Sequence, residues 1–475
     1  GTPINPNGTK TAFDQHYALL GISAYVEATD DSLSWQWLET GYTSLESHLW
    51  DSRPQYFGYY DHGNRSWSSV SGKSFNATVD ALTTHLLYLY LMTENPGYLN
   101  RLLELGDNIL NHLVASMDAQ AIGFVERYDS DWNWDNSETM TIMGHVLKAA
   151  WSLARLYQLQ PDTLYTQGAS KLIEDVLLNG YDHEFGGPYK DFNRITGEML
   201  MWGIPDTAKA WWQMEQAVTA GLQMYDITGD TLYLNMADET LDFFMHYFVD
   251  HTYGEVYADR TRYGDPIPQW GDNKGNGWKA GYHSIELGYY VYLYGKLFLH
   301  QQPVTLHYKF LPSSQERQIH LNPLAIADNE LQIASVLKDG QTYGNFDPIQ
   351  RILTIPPGTG GHFEVTYQRA PSFIAENNAT FKPETFTLKQ NYPNPFNPVT
   401  TIEFYLSHAT HLTLHIYDVA GRKVKTLVNG YYPAGNYAVQ WDATDAEGEK
   451  VSAGVYLYQM NSGNEAMTRK MVLLK

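Results

Sequence analysis

Two short stretches of this chain put an imidazole and a charged side chain on one helical face. "GHVLK" carries His145 with Lys148 three residues on, and "YHSIE" carries His283 with Glu286 at the same interval. Residues at i and i+3 share a face of a helix. Each pair opens a helix just after a glycine-containing loop. Imidazole titrates near neutrality, so it suits the removal and return of a carbon-bound proton. Two imidazoles facing each other across a cleft suit one reaction, in which one abstracts a proton alpha to a carbonyl and the other delivers it to the opposite face. On spacing alone, two unrelated histidines, each hydrogen-bonded at its own helix end, is the stronger reading. The sequence holds no H-E-x-x-H, no G-x-S-x-G and no phosphate-cradling glycine loop. The adjacent Asp30 and Asp31 read as a solvated turn.

Long helices must position these pairs. Apolar residues recur at three- and four-residue spacing through "FDQHYALLGISAYVEAT", "SFNATVDALTTHLLYLYLM", "GHVLKAAWSLARLYQL", "AKAWWQMEQAVTAGLQMYDI" and "GYHSIELGYYVYLYGKLFL". The pattern over 11–300 gives about nine helices. The connections repeat, with Gly58, Gly123, Gly186 and Gly254 spaced 65, 63 and 68 residues apart. A long period with two helices per unit predicts stacked helical hairpins. Closed into a ring, six hairpins make an (α/α)6 toroid with a cleft at one end. About nine helices are too few for that ring, so the expectation is a toroid lacking its first three.

Composition sets limits. The chain has 475 residues, a formal net charge of −22, no cysteine, 36 Tyr and 13 Trp. Such acidity repels phosphate backbones, which argues against nucleic acid as a partner. Without cysteine there are no disulfides, thiol nucleophiles or thiolate metal sites. No apolar run is long enough to span a membrane. Tyr and Trp offer flat faces with polar tips that stack on sugars, although they serve equally in cores.

After residue 302 the pattern changes to alternation with period two, punctuated by Gly, Pro and Asp. The boundaries read as a helical toroid over 1–302, a small β domain over 303–371, a polar linker over 372–389 and a second sandwich-like β domain over 390–475. "YDVAGRKVKTL", "YPAGNYAVQWDATDAEGEKVSAGVYLYQM" and the final "RKMVLLK" resemble the C-terminal sorting domains of type IX secretion. The resemblance implies a secreted or cell-surface protein, its signal peptide removed, with the outer-membrane secretion machinery as a partner.

The helical part carries a second resemblance. "DSDWNWDNSETMTIMGHVLKAAW", "NGYDHEFGGPYKDFNRITG", "DTAKAWWQMEQAV" and "GEVYADRTRYGDPIPQWGDNKGNGWKAGYHSIELG" resemble segments of the N-acylglucosamine 2-epimerase and cellobiose 2-epimerase superfamily. That family has an (α/α)6 barrel and epimerises or isomerises reducing sugars without a cofactor or metal. The resemblance implies His145 and His283 as acid and base, and Trp211 and Trp212 as the aromatic floor. Trp278, Lys279 and Tyr282 match the residues before the last histidine, and Asn76 matches an asparagine of the N-T-x-L-H segment. Several positions depart from the pattern. Lys148 stands where the family has glutamate, Glu286 where it has arginine, and Asp80 where it has histidine. Met214 falls on the family's glutamine and Gln216 on its glutamate, with Glu215 one residue off and pointing about 100° away on a helix. Lys148 and Glu286 together suggest a charge swap that keeps an ion pair across the cleft.

These features predict a secreted sugar 2-epimerase or aldose–ketose isomerase. His145 and His283 would transfer protons, and Trp211, Trp212, Lys148, Glu286, Gln216, Tyr282 and Asn76 would contact a mono- or oligosaccharide. Two alternatives stand beside it. One is a non-catalytic carbohydrate-binding or structural surface protein, assembled as a homo-oligomer or surface array. The other is a polysaccharide-degrading glycosidase or lyase using Asp80, Glu126, Asp129 or Asp131.

Overall fold

The computed structural model describes residues 8–200, 207–268, 271–277, 279–323, 326, 330–370, 386–406, 410–419, 421–432, 435–462 and 465–474. Trp278 lies outside them. Residues Gly1–Ile374 form one compact unit and Ala375–Lys475 a second.

The first unit begins as alternating inner and outer helices. They are α1 (Ala12–Thr29), α2 (Ser32–Leu49), α3 (Leu87–Thr93), α4 (Pro96–Asn108), α5 (Met143–Leu159), α6 (Thr163–Asp175), α7 (Trp211–Thr228), α8 (Thr231–Phe243) and α9 (Tyr282–Tyr294). Two π-helical segments, Asn76–Asp80 and Leu82–Leu86, lead into α3. The odd-numbered helices pack in succession, α1 on α3, α5 on α7 and α7 on α9. Among the described residues, no helix is long and apolar enough to cross a membrane.

Thr11 caps the inner helix α1 as side chains cap the outer helices, and α5, α7 and α9 start differently. Each outer helix opens on a side chain that accepts a first-turn N–H, namely Asp31, Asn95, Asp162 and Asp230. Inner helices α5, α7 and α9 have no side-chain cap. At α5 the Gly144 N–H donates instead to Gln213 Oε1 at 3.0 Å, and the positive ends of α7 and α9 meet no such side chain.

The glycine repeat has a physical basis. Gly58, Gly123, Gly186 and Gly254 all have positive φ, a conformation that costs other residues more. At three of the four a lysine clasps the loop. Lys73 Nζ donates to Gly58 O at 2.7 Å and meets Asp51 at 3.1 Å. Lys209 does the same with Gly186 O at 2.6 Å and Asp182 at 3.1 Å. Lys274 pairs with Asp250 and reaches Gly254 O at 2.9 Å.

A β region follows α9. One antiparallel sheet runs in the order Val304–Phe310, Gly361–Arg369, Leu331–Lys338, Gln341–Thr342, and another in the order Arg317–His320, Ile352–Ile355, Phe346–Asp347. This region meets both ends of the helical series. Val304–Phe310 packs along α1, and Leu297 and Phe298 beyond α9 share a core with Val304, Phe310, Val336 and Phe363. The second unit holds a three-stranded and a four-stranded antiparallel sheet around Phe404, Ile416, Trp441 and Tyr458. Phe386–Leu388, inside the stretch read as linker, pairs with Thr400–Leu406.

The core between α1 and α3 contains two histidines. His16 and His85 are fully buried and stack with ring centroids 5.3 Å apart. Burial lowers both pKa values, that of His85 to about 3, and His16 also feels His85. Both are neutral when folded, whereas the unfolded chain takes up protons below about pH 6.5. Their stabilising contribution is complete above that pH and is lost as pH falls below it, by about 1.4 kcal/mol per pH unit for each histidine that stays neutral in the folded chain, for His85 down to about 3. Urea unfolding at pH 7 and pH 5 should show this acid limb, and His16→Leu/His85→Leu should flatten it.

Candidate active site

The uncapped N-termini of the inner helices carry the polar side chains of the site. His145 is in the first turn of α5, Trp211 and Trp212 begin α7, and Tyr282 and His283 begin α9. The Trp212 ring lies between the histidines, with centroids 5.5 Å from His145 and 6.0 Å from His283. The structure thus brings together both predicted histidines and one tryptophan of the pair. Trp212 is half-buried, and Trp211 is buried, its ring edge-on to His283 at 6.2 Å. Trp211 supports the site from beneath.

Each histidine is held through Nδ1 by a glutamate. Glu126 Oε2 lies 2.9 Å from His145 Nδ1, while its Oε1 accepts the backbone N–H of Ile142 at 3.1 Å. Phe75 stacks on the His145 ring at 3.9 Å. Glu215 Oε2 lies 3.1 Å from His283 Nδ1, and Thr219 donates to the other oxygen at 2.7 Å. With Nδ1 engaged, Nε2 is the ring nitrogen left to act. The two side chains are 16% and 17% exposed, enough for each to be reached at one edge.

Sequence reasoning missed both orienting groups. It named Glu126 only as a glycosidase candidate and turned Glu215 away from the site. Glu215 is the carboxylate that reaches His283. Gln216 instead donates to Glu215 and accepts the Trp151 indole N–H at 2.6 Å. The missed signal was a buried acid beside each histidine, Glu126 in the extended stretch before Arg127–Tyr128 and Glu215 one turn into α7.

The electrostatics are asymmetric. Burial pushes Glu215 up to about 8 and His283 down to about 4. Both shifts favour neutral partners, with a carboxylic acid donating to Nδ1 and an Nε2 that keeps its hydrogen. Glu126 accepts the Ile142 N–H with one oxygen and faces His145 Nδ1 with the other, and the tautomer that donates Nδ1–H to it leaves Nε2 with a lone pair. Burial and the neighbouring Glu215 push Glu286 up to about 7.

Lys148 does not pair with Glu286. Its ammonium lies 2.6 Å from Asp80 and 2.8 Å from the Tyr17 hydroxyl, and both Lys148 and Asp80 are buried. Burial alone would lower the lysine pKa, but Asp80 and Tyr17 outweigh it and hold the group charged. Two departures from the family pattern therefore meet in one ion pair, a lysine for glutamate and an aspartate for histidine. Asn76 donates to Asp80 at 2.8 Å and braces this pair. Tyr282 packs against both Tyr17 and His283.

The acids weighed as glycosidase groups are committed elsewhere. Asp80 holds Lys148 and Glu126 holds His145, while Asp129 closes a turn with Asn133 and Asp131 pairs with Arg53. One atom each of Glu215, His283 and Glu286 lie within 4.8 Å of one another, the one set among the described residues close enough to hold a metal ion. The Glu215 and His283 members of that set already bond to each other.

The glycine before His145 is required by packing. A Cβ at Gly144 would stand 2.5 Å from Trp212 Cζ3 and 2.6 Å from Gln213 Cγ. Gly144→Ala should cost about 1–3 kcal/mol through overpacking and displace the indole, seen as a lower urea midpoint and altered tryptophan fluorescence.

This fold and site define a helical-hairpin protein with two glutamate-held histidines at the cleft end of its inner helices. Residues 5–280 match the family described as N-acylglucosamine 2-epimerase (GlcNAc 2-epimerase), and the chain belongs to that family. His145 and the tryptophan pair lie inside the matched stretch, and His283 lies three residues beyond it. Residues 397–466 match the FlgD Ig-like domain. A D-mannose isomerase from Marinomonas mediterranea is 24% identical over 282 residues, 57% of this chain and 68% of the relative. The N-acylglucosamine 2-epimerase of Bos taurus is 32% identical over 131 residues, 26% of this chain and 28% of that relative. Among solved structures, a D-mannose isomerase superposes with a TM-score of 0.52 at 24% identity, covering 60% of this chain and 72% of its own. The cellobiose 2-epimerase from Bacillus thermoamylovorans gives 0.51 at 17% identity, covering 59% and 72%. These likenesses establish the shared fold.

Proposed function

We propose that the protein is a sugar epimerase or aldose–ketose isomerase that moves the C2 proton of a reducing saccharide. The observation that carries this reading is the convergence of two histidines, each fixed through Nδ1 by its own glutamate, on the ring of Trp212. His145 Nε2 removes the proton from C2 of the open-chain aldose. Charge moves onto the carbonyl oxygen, forming an enediolate. The positive N-terminal ends of α7 and α9 favour that anion. His283 gives its Nε2 proton to the opposite face of C2 for epimerisation, or to C1 for isomerisation, while Glu215 passes its carboxyl proton to Nδ1, so the ring stays neutral and the carboxylate takes the charge. Trp212 stacks on the sugar, and the Lys148–Asp80–Tyr17 cluster shapes the wall beside it. The family membership and the names of the relatives agree with this chemistry.

The test is proton NMR in D2O with glucose, mannose, cellobiose and N-acetylglucosamine. Deuterium entering C2 with the wild type, and not with His145→Ala/His283→Ala, is the expected result. No exchange with any of the four removes the reading in favour of a binding protein. We also propose that the second unit is a sorting domain for export, on the strength of its terminal motifs and its Ig-like match. Fused to a periplasmically targeted reporter in a type IX-competent bacterium, it should carry the reporter to the surface or medium, and retention in the periplasm would exclude the role.

A further inference from the structure

One partly buried acid of α1 takes no part in the histidine chemistry. Glu27 lies on α1 and lines a cavity of about 180 Å³ between α1, α2, α3 and the strand Arg317–His320. Val26, Trp35, Leu91, Met92 and Tyr308 supply the apolar and aromatic part of the wall. The other charged groups of the wall have partners. Asp30 meets Arg317 at 3.1 Å and accepts the Trp35 indole N–H at 2.8 Å, and His320 lies 3.0 Å from Glu94. Glu27 has no hydrogen bond or ion pair, and burial alone pushes its pKa up, to about 7. Among the described residues it is the one acid of this wall without a partner.

A carboxylate drawn even partly out of water without a donor is costly, and proteins commonly meet that cost with a partner. Here the protein supplies none, and the carboxylate borders open volume. Aromatic rings close to a carboxylate are the surroundings in which a desolvated cation gains most, by charge pairing and by contact with the ring faces. Tyr88, Tyr289 and Tyr308 are near enough to feel the Glu27 charge. Of the two carboxylates in the wall Asp30 is taken up by Arg317 and Trp35, which leaves too few oxygens for a hard metal ion, since such an ion takes six or more. A cavity of roughly 150 Å³ admits a benzene-sized molecule, so an amine of similar size fits this one.

We propose that the cavity between α1, α2, α3 and the β region binds a small organic ammonium, its charged nitrogen on Glu27 and its hydrocarbon part against Trp35, Tyr308 and Leu91. The site is separate from the histidine site and does not depend on the function proposed for it.

Isothermal titration calorimetry on the full chain tests this, with n-butylammonium chloride and cyclohexylammonium chloride as probes. 1-Butanol and sodium butyrate serve as the neutral and anionic counterparts. Saturable one-to-one binding of an ammonium is expected, at least tenfold tighter than either counterpart. Glu27→Gln keeps the side-chain shape and removes the charge, so it should fold and bind at least tenfold more weakly. Leu91→Phe, which fills the apolar wall, should weaken binding as well. His145→Ala/His283→Ala should bind like the wild type, which separates this cavity from the histidine site. Absence of saturable binding to the folded wild type overturns the proposal. So does equal binding of 1-butanol, unchanged binding by Glu27→Gln or Leu91→Phe, or loss of binding in the histidine variant.

Discussion

His145→Ala and His283→Ala each slow sugar turnover by about 10²–10⁴, and they fail in opposite ways. Two bases on opposite faces of C2 divide the work by substrate. The epimer whose C2 hydrogen faces His145 can be deprotonated only there, and its partner epimer only by His283. A chain lacking His283 therefore still exchanges the C2 hydrogen of the first epimer with solvent but cannot convert it. A chain lacking His145 shows the reverse. Following deuterium uptake and conversion separately, from each C2 epimer, distinguishes the two. If both variants lost exchange from both epimers alike, a single base would be at work and the assignment of faces would fall. The environments predict that His145 is the base in the resting protein, since Glu126 takes its Nδ1–H while buried Glu215 leaves His283 with Nε2–H.

Lys148→Ala should destabilise the protein by about 3–5 kcal/mol, because it strands Asp80 as an uncompensated buried charge. Both side chains are almost wholly buried, and Asn76 and Tyr17 cannot neutralise the carboxylate. Urea unfolding measures the loss. Lys148→Glu alone should be worse, with two acids in contact. Lys148→Glu with Asp80→His places at both positions the residue types of the family pattern and should recover most of the stability. If the double variant were no better than Lys148→Glu alone, the two positions would not be coupled as the 2.6 Å contact indicates.

The helices and the histidine pair were legible in the sequence for different reasons. Apolar spacing marks helices whatever their surroundings, so α1, α5, α7 and α9 could be read directly. His145, His283 and the tryptophans could be picked out because their motifs are short and contiguous. The partners of Lys148 and His283 could not be read that way. A charge swap between Lys148 and Glu286 is reasonable from their matching i+3 positions, but α5 sits beside the Asn76–Asp80 segment and α7, and Glu286 is on α9 beyond. Adjacency in the helical series selected Asp80. Glu215 was turned away by an ungapped comparison of one helix with a motif, whereas its partner belongs to the next inner helix. The packing of the β region against α1 and the end of α9 was equally out of reach, because contacts between distant segments leave no periodic trace.

The lysine clasps have a consequence for how one connection bears on the next. In the Lys73 and Lys209 clasps an ammonium bridges a carboxylate and a glycine carbonyl by direct bonds, in the loops after α2 and after α6. The Lys274 clasp repeats the arrangement after α8. Successive loops are also tied to one another, by the strand pairs Lys73–Tyr128, Ile142–Asp191 and Lys209–Arg260 and by the Arg53–Asp131, Lys190–Asp259 and Arg262–Asp182 ion pairs. Each lysine therefore fixes the shape of its own loop, and the seams carry that shape to the next, as staves in a hoop bear on one another.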